Sequence, residues 1–539
     1  MAVTVFRVYP VLGSKTNVPQ DDPSLVQMVN DRTAITHDVG GLNLDYQRKR
    51  GTVCKAYGDI VWNASNNAQS TTTQALFQLN VAGVIDHIHC DNGKIYTYDG
   101  SKNPIDISVA ATTLANDATD LYSIVQYGSY AVLSDFGEHT PYKWKHGDAA
   151  FTKLIDPSGS SGYTQYKFRY LEVFQRRIVG AYSDQTNGDI EIRWTDALPD
   201  LSSDVEFPSG NQAYKADDRS ITGIKRMGQN VCYLYSDYSI DRIEYYPYAN
   251  YPFQIINVIP HQGATNHHSI VSVGNMHFLF NRHFGFCAFD GSPVFPAGGK
   301  PISEDIENWI KEIDTDYYGM IVGYYIPQQN EICWTVPMGG ESRCNFFLYY
   351  HVLDRKWRRE DKVSPYIDNW TVYSDFTWND LMDEAGGATA DWTGVYNETW
   401  SHYFSSLDAL VYATTGQVKY VSGNSLAASG TSFSGYRIEP IMDFGNKRAK
   451  KLLLELWFGF ASSGLHSITV WHRGGNTEAE VVNASWSSIG TVGLDSPDPA
   501  ILRTNKNYRL HQIKYGTQSD DEYFSINSID YVFVAQGEW

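Results

Sequence analysis

Apolar and polar positions along this chain fall into short alternating runs, and the runs recur. Ile124–Asp135 is an apolar strand, a turn at Gly128 and a second apolar strand. Leu171–Asp184, Ile224–Asp237 and Ile270–Asn281 repeat that layout around Gln175, Gly228 and Gly274, and the first two of these close on the same Tyr-Ser-Asp. Turns at 128, 175, 228 and 274 are spaced by 47, 53 and 46 residues. A weaker copy, Gly323–Trp334 with its turn at Gln329-Asn330, lies one step later, and the run around Gly83 lies one step earlier. A period near fifty with strands on both sides of each turn is that of a β-propeller blade. One blade cannot bury its own faces, so blades must stack around an axis.

A second pattern marks further hairpins. Asp91-Asn92-Gly93 enters the alternating run up to Gly100; Thr414–Gly423 repeats it, and Gly285–Gly291 is a shorter version. These are expected to be the outer hairpins of blades. One helix is predicted over 303–313: Ser303 is placed to cap it, and Ile306, Trp309, Ile310 and Ile313 form one apolar stripe. From Tyr436 the period is lost. Strands at 436–445, 452–458, 467–472, 508–513 and 524–534 suggest a separate β-sandwich.

The expected fold is all-β, a six- or seven-bladed β-propeller with an appended C-terminal β-sandwich. Residues 1–50 read as an irregular lead-in and 51–423 as the propeller, with a Trp-, Asp- and Gly-rich insertion near 360–405. Residues 424–435 have linker composition, and 436–539 form the sandwich or platform domain.

Composition narrows the function classes. Aromatics make up 14% of the chain, led by 38 tyrosines, which suits half-buried strands. No run is long and apolar enough for a membrane span, and the first residues lack the pattern of a secretion signal. Folding in a cytoplasm is therefore expected. The six scattered cysteines read as buried, reduced thiols rather than disulfides or metal ligands. A formal charge of −19 argues against gripping nucleic acid and suits either solubility or a surface past which a polyanion slides.

Candidate chemistry is sparse. The chain has no phosphate-binding Gly-rich loop, no His-Glu-x-x-His and no nucleophile elbow. His87 with His89, and His267 with His268, lack a carboxylate or cysteine at ligand spacing, so no metal is expected. Ser183–Gly188 with Trp194 approaches a sialidase-type box but has the wrong spacing, and Asp184 and Asp237 read as turn residues. Two basic runs remain as interface candidates: Arg48, Lys49 and Arg50, and Lys447, Arg448, Lys450 and Lys451. For the second run, a charged strand entry that blunts edge pairing is the competing reading. No cofactor is expected.

Taken in order, several segments resemble the β-propeller proteins of bacteriophage necks and tails. They are Gly40–Asn43 before the basic turn, Asn92–Gly100, Tyr235–Ile243, Gly263–Thr265, His277–Phe280, Gly285–Gly291 with the helix after it, Tyr349–Trp357, Ile438–Gly445 and Lys450–Leu456. The family comprises tail nozzle (tail tubular) and packaged-DNA stabilisation proteins of short-tailed phages. The resemblance implies a virion structural protein with no catalytic residues, assembled in the host cytoplasm as a homo-hexameric ring. Such a ring continues the conduit below portal and adaptor, contacts other tail proteins, and lets double-stranded DNA pass without sequence-specific binding. The alternatives are a carbohydrate-binding propeller and, less favoured for want of a carboxylate constellation, a propeller glycosidase.

Overall fold

A computed structural model describes residues 3–46, 51–64, 72–110, 112–154, 165–197, 201–202, 205–247, 252–373, 406–414, 417–421, 433–460, 467–493, 499–517 and 523–536. Among these, seven small antiparallel sheets follow one another along the chain. The first four begin with the strands Thr73–Val81, Ser123–Tyr127, Phe168–Phe174 and Gly223–Met227, and the last three with Val271–Val273, Val322–Ile326 and Ile367–Tyr373. Each of these first strands packs against the first strand of the next sheet, and Ile367–Tyr373 packs back on Thr73–Val81. The circuit is closed, and the fold is a seven-bladed β-propeller.

The repeated turns occupy one structural position. Gly128, Gln175, Gly228 and Gly274 each follow the first strand of a blade, as do Gly83 and Asn330. Gly128 and Gly274 have φ of 58° at the first position of two-residue turns, a left-handed conformation that glycine adopts without steric cost. In blade three Gln175 and Arg176 take φ of 51° and 57°, so the same turn is made there without glycine.

The hairpins at Asn92-Gly93 and before Gly285 join the second and third strands of blades one and five, so they are middle rather than outer hairpins. The related turn at 415–416 lies outside the described residues. Blade five has three strands. After its last strand, Gly285–Phe289, the chain forms a 3-10 turn at Glu304–Ile306 and a short helix at Glu307–Lys311 instead of a fourth strand. Ile306, Trp309 and Ile313 bury the predicted stripe against Phe286, Trp334 and Trp357. Ser303 does not cap this helix. Its hydroxyl accepts from Phe286 N at 3.0 Å and so ties the helix entry to the blade.

Blade seven is completed from the other end of the chain. Asp59–Val61 pairs antiparallel with Gln417–Val421 as the fourth strand. Trp62 N then donates to Val418 O, and Asn63 Oδ1 accepts from Val418 N. Residues 360–373, expected to begin an insertion, instead end blade six and form the inner strand of blade seven. The rest of that stretch, 374–405, lies outside the described residues.

The lead-in is not irregular. Val3–Tyr9 pairs with Ser525–Ala535, while Val26–Asn30 and Thr33–Thr36 extend the same sheet outward. Val53–Lys55, expected in the propeller, also joins it. This eight-stranded sheet packs on a second sheet of Gly435–Ile438, Leu510–Thr517, Ser467–Gly475 and Ser487–Gly493. Phe6, Val8, Leu453, Phe458, Val470, Ile513 and Ile529 form the core between them. The sandwich is thus built from both chain ends: Val5 and Val8 pair with Val532 and Ile529 of the last strand, and Val8 also with Ala34. No helix among the described residues is long and apolar enough to cross a membrane.

Candidate functional site

Arg48, Lys49 and Arg50 lie outside the described residues. In the second basic run, Lys447, Arg448 and Lys450 are exposed. Lys447 Nζ pairs with Asp21 at 3.4 Å, and Arg448 N donates to Asn446 Oδ1. Lys451 departs from the expected surface position. It is 1% exposed, and its ammonium donates to the carbonyls of Asn446 and Arg509. Burial lowers its pKa to about 8. Lys451 therefore serves the interior. Nor does the run blunt an edge, since Lys451–Phe460 is paired on both sides.

A seam of polar residues, invisible as a motif, joins sandwich to propeller. Ser14 N donates to Trp357 O, Asn43 N to Arg359 O, and Asp361 N to Asn43 Oδ1. Lys356 Nζ reaches Val11 O at 3.1 Å. Behind this seam Arg358 is buried between Glu331 (Nη2–Oε2, 2.6 Å) and Glu360, with its guanidinium 3.6 Å from the Tyr349 ring centroid. Lys362 Nζ closes the cluster on Glu360 at 2.7 Å. Two cations balance two carboxylates, which is what burial of such groups requires.

A concave feature lies where the inner strands converge. It is a chamber of about 570 Å³, walled by Gln78, Lys225, His268, Tyr324, Tyr366, Asp368, Asn369 and Asp408 among others. Gln78 Nε2 donates to Thr371 Oγ1, whose hydroxyl donates to Asp408 Oδ1 at 2.9 Å, so one hydrogen-bond chain orders the wall between blades one and seven. Burial raises the Asp368 carboxyl to about 7, with the Asn369 backbone opposing it. Burial holds His268 at about 3, helped by nearby Lys225 and opposed by the Leu121 backbone.

His267 and His268 thus sit in the chamber wall, while His89 is buried in blade one between Thr73 Oγ1 and Tyr98 OH. No group of three or more His, Cys, Asp or Glu among the described residues could hold a metal ion. Asp237 pairs with Arg282 at 3.1 Å. Nothing in the sequence pattern around Asp368 or Asn369 singles them out, because the chamber is assembled from strands far apart in the chain.

No model of a protein family matches the chain, and no curated protein matches it. Solved structures align over most of its length with low similarity. An exo-β-1,3-galactanase from Phanerochaete chrysosporium aligns at 13% identity and TM-score 0.26, covering 81% of this chain and 98% of its own. The extracellular domain of the hybrid two component system BT3049 from B. thetaiotaomicron aligns at 8% identity and TM-score 0.38, covering 87% and 57%. A 6-phosphogluconolactonase from Bacteroides uniformis aligns at 11% identity and TM-score 0.34, covering 61% and 90%. At these scores the assignment of fold rests on the strand circuit described above.

Proposed function

We propose that this protein is a structural component of a short-tailed bacteriophage virion, one of six identical subunits in a tail ring. The ring continues the conduit below the portal and its adaptor, retains packaged double-stranded DNA and then lets it leave. The role is architectural rather than catalytic.

One observation supports this reading above the others: the sandwich offers two different strand edges on a rigidly mounted domain. Its larger sheet ends in Val26–Asn30 on one side and Ala500–Tyr508 on the other. Met28, Val29 and Ile501 on those strands are each at least half exposed. Monomeric proteins normally protect such edges. Two unlike edges on one subunit suit a head-to-tail contact repeated around an axis, which closes into a ring. The seam with blade six fixes the angle between sandwich and propeller, as a closed ring needs. The charge of −19 suits a conduit to which DNA does not adhere.

Electron cryomicroscopy of intact particles from the source is the test. Density for a seven-bladed propeller and its sandwich in a sixfold ring on the tail axis is the expected result. Density at fibre tips only, or no copy of the chain in purified particles, would overturn the reading. A monomer in solution would not, since rings of this kind can wait for a preassembled neck.

A further inference from the structure

We propose that neighbouring copies of this chain join through their sandwiches by main-chain pairing, the outer strand Val26–Asn30 of one copy adding in parallel to Ala500–Tyr508 of the next. The inference rests on the ring reading above and deepens it, since it names the joint that such a ring uses.

Strand direction comes first. Among the described residues Val26–Asn30 pairs only with Thr33–Thr36, and Ala500–Tyr508 only with Lys451–Phe460, so the far side of each is open. Val26–Asn30 is antiparallel to Thr33–Thr36, which is parallel to Val3–Tyr9. Three antiparallel steps then lead through Ser525–Ala535 and Lys451–Phe460 to Ala500–Tyr508. Both outer strands therefore run the same way. A second copy, brought alongside by rotation about an axis along the strands, meets the first as a parallel pair and leaves the same two edges open for the next. A twofold contact between like edges would stop at two copies. The free amides are in place on the first edge. His37 N donates to Leu25 O, so by antiparallel alternation Gln27 bonds to Ile35 and the N–H of Met28 points outward.

Charge selects unlike edges over like ones. Ala500–Tyr508 carries Arg503 and Lys506, is followed by Arg509 and holds no carboxylate. Glu455 comes within 3.5 Å of Arg503, whose side chain is nevertheless 88% exposed. Val26–Asn30 is uncharged and bracketed by Asp22 and Asp31, with Arg32 the one cation next to them in the chain. Two basic strands repel, whereas the basic strand and the acid-flanked one attract. The balance extends to the whole domain. Residues 1–55 and 433–539 hold 17 Lys and Arg against 17 Asp and Glu, while 56–432 hold 25 against 44. The propeller segment thus carries the entire −19, and copies meet with least repulsion through their sandwiches.

Paired cysteines in the full chain test the joint. The two strands end a six-strand path and lie about 24 Å apart at about 4.8 Å per step, too far for a disulfide within one copy. Gln27→Cys is combined with Ile501→Cys or with Asn505→Cys, all three positions being exposed, and the concentrated protein is oxidised and run on a non-reducing gel. The native cysteines are buried and stay silent. At least one pair should give a ladder of multimers, while each single cysteine gives at most a trace of dimer. Met28→Pro, and separately Arg503→Glu with Lys506→Glu, should cut the ladder at least tenfold with circular dichroism unchanged. The charge reversal keeps the test readable if the proline variant does not fold. Dimer from Gln27→Cys alone, as abundant as from the pair, would mean that like edges meet and would overturn the proposal. So would a chain that stays monomeric and uncross-linked at high concentration, or a sixfold ring in particles whose subunits touch through other surfaces; the last leaves the tail ring standing. A ladder from a chain that purified particles lack would uphold the joint and sink the tail assignment instead.

Discussion

Arg437 Nε lies 2.7 Å from Glu439 Oε1, which is two residues on and just past the end of the strand Gly435–Ile438, and neither side chain is exposed to solvent. Both reach across to the first forty residues. Arg437 donates to the carbonyls of Leu12 and Thr36, and Glu439 accepts from the hydroxyls of Thr36 and Tyr515. The pair is a pin between the two ends of the chain. Asp38 adds a second pin, accepting from Ser14 Oγ, Gly41 N and Ile438 N.

Removing one member of this pair leaves a buried charge alone. Glu439→Gln is expected to lower stability by roughly 3–5 kcal/mol, the usual cost of breaking a buried pair. Replacing both, as in Arg437→Met with Glu439→Leu, should recover much of that loss because no charge is stranded. Urea denaturation of the two variants checks the order.

Buried histidines set an acid limit. His89, His268, His277 and His472 are held at about 3, and His87 and His511 at about 4, in each case chiefly by burial. The unfolded chain binds these protons near the ordinary 6.5, so its proton uptake exceeds that of the folded state between about pH 6.5 and 4. Stability is then fully present above about 6.5 and falls as the pH drops through that window. Asp91 and Asp368, raised to about 7, act oppositely, favouring the fold most below about 4 and losing that contribution as pH rises through 7. A tenfold change in proton affinity is worth about 1.4 kcal/mol. Six imidazoles, each made a weaker base by burial, therefore outweigh two carboxyls. A melting temperature that falls steeply from pH 6.5 to 4.5 is expected, and one that rises over that range would contradict these burials.

Closure of the propeller depends on a latch. Trp62, directly after the closing strand, packs edge-on to Trp370 and Tyr98 at centroid distances of 5.2 and 4.8 Å. Trp62→Ala should cost roughly 3–5 kcal/mol as a large-to-small core change. Hydrogen exchange in 417–421 should rise more than in blades three and four, since it is blade seven that loses its fourth strand.

All six cysteines are free and buried, and burial pushes the Cys344 thiol up to about 12. Native protein should therefore react negligibly with a thiol reagent at neutral pH. Unfolding in denaturant without reductant should expose six equivalents. Fewer than six would mean that a disulfide had formed.

The blade and its period could be read from the chain alone, because a hairpin is local. Gly128, Gly228 and Gly274 supply the positive φ, alternation supplies the two faces, and nothing distant is needed to recognise either. The buried stripe Ile306, Trp309 and Ile313 was legible for the same reason, although the bond that Ser303 makes to Phe286 instead of a cap was not. What distant segments do for one another emerged only in the folded chain. Asp59–Val61 completes a blade whose other strands lie more than three hundred residues on, and Val3–Tyr9 pairs with the last strand of the chain. Pairing of this kind leaves no periodic trace, since any short strand of suitable polarity can serve an edge. Arg437, Glu439 and Lys451 likewise look like surface charges until the partners that bury them are in place. The chamber around Asp368 and Asn369 exists only once the blades have closed, because its wall is drawn from strands of several blades.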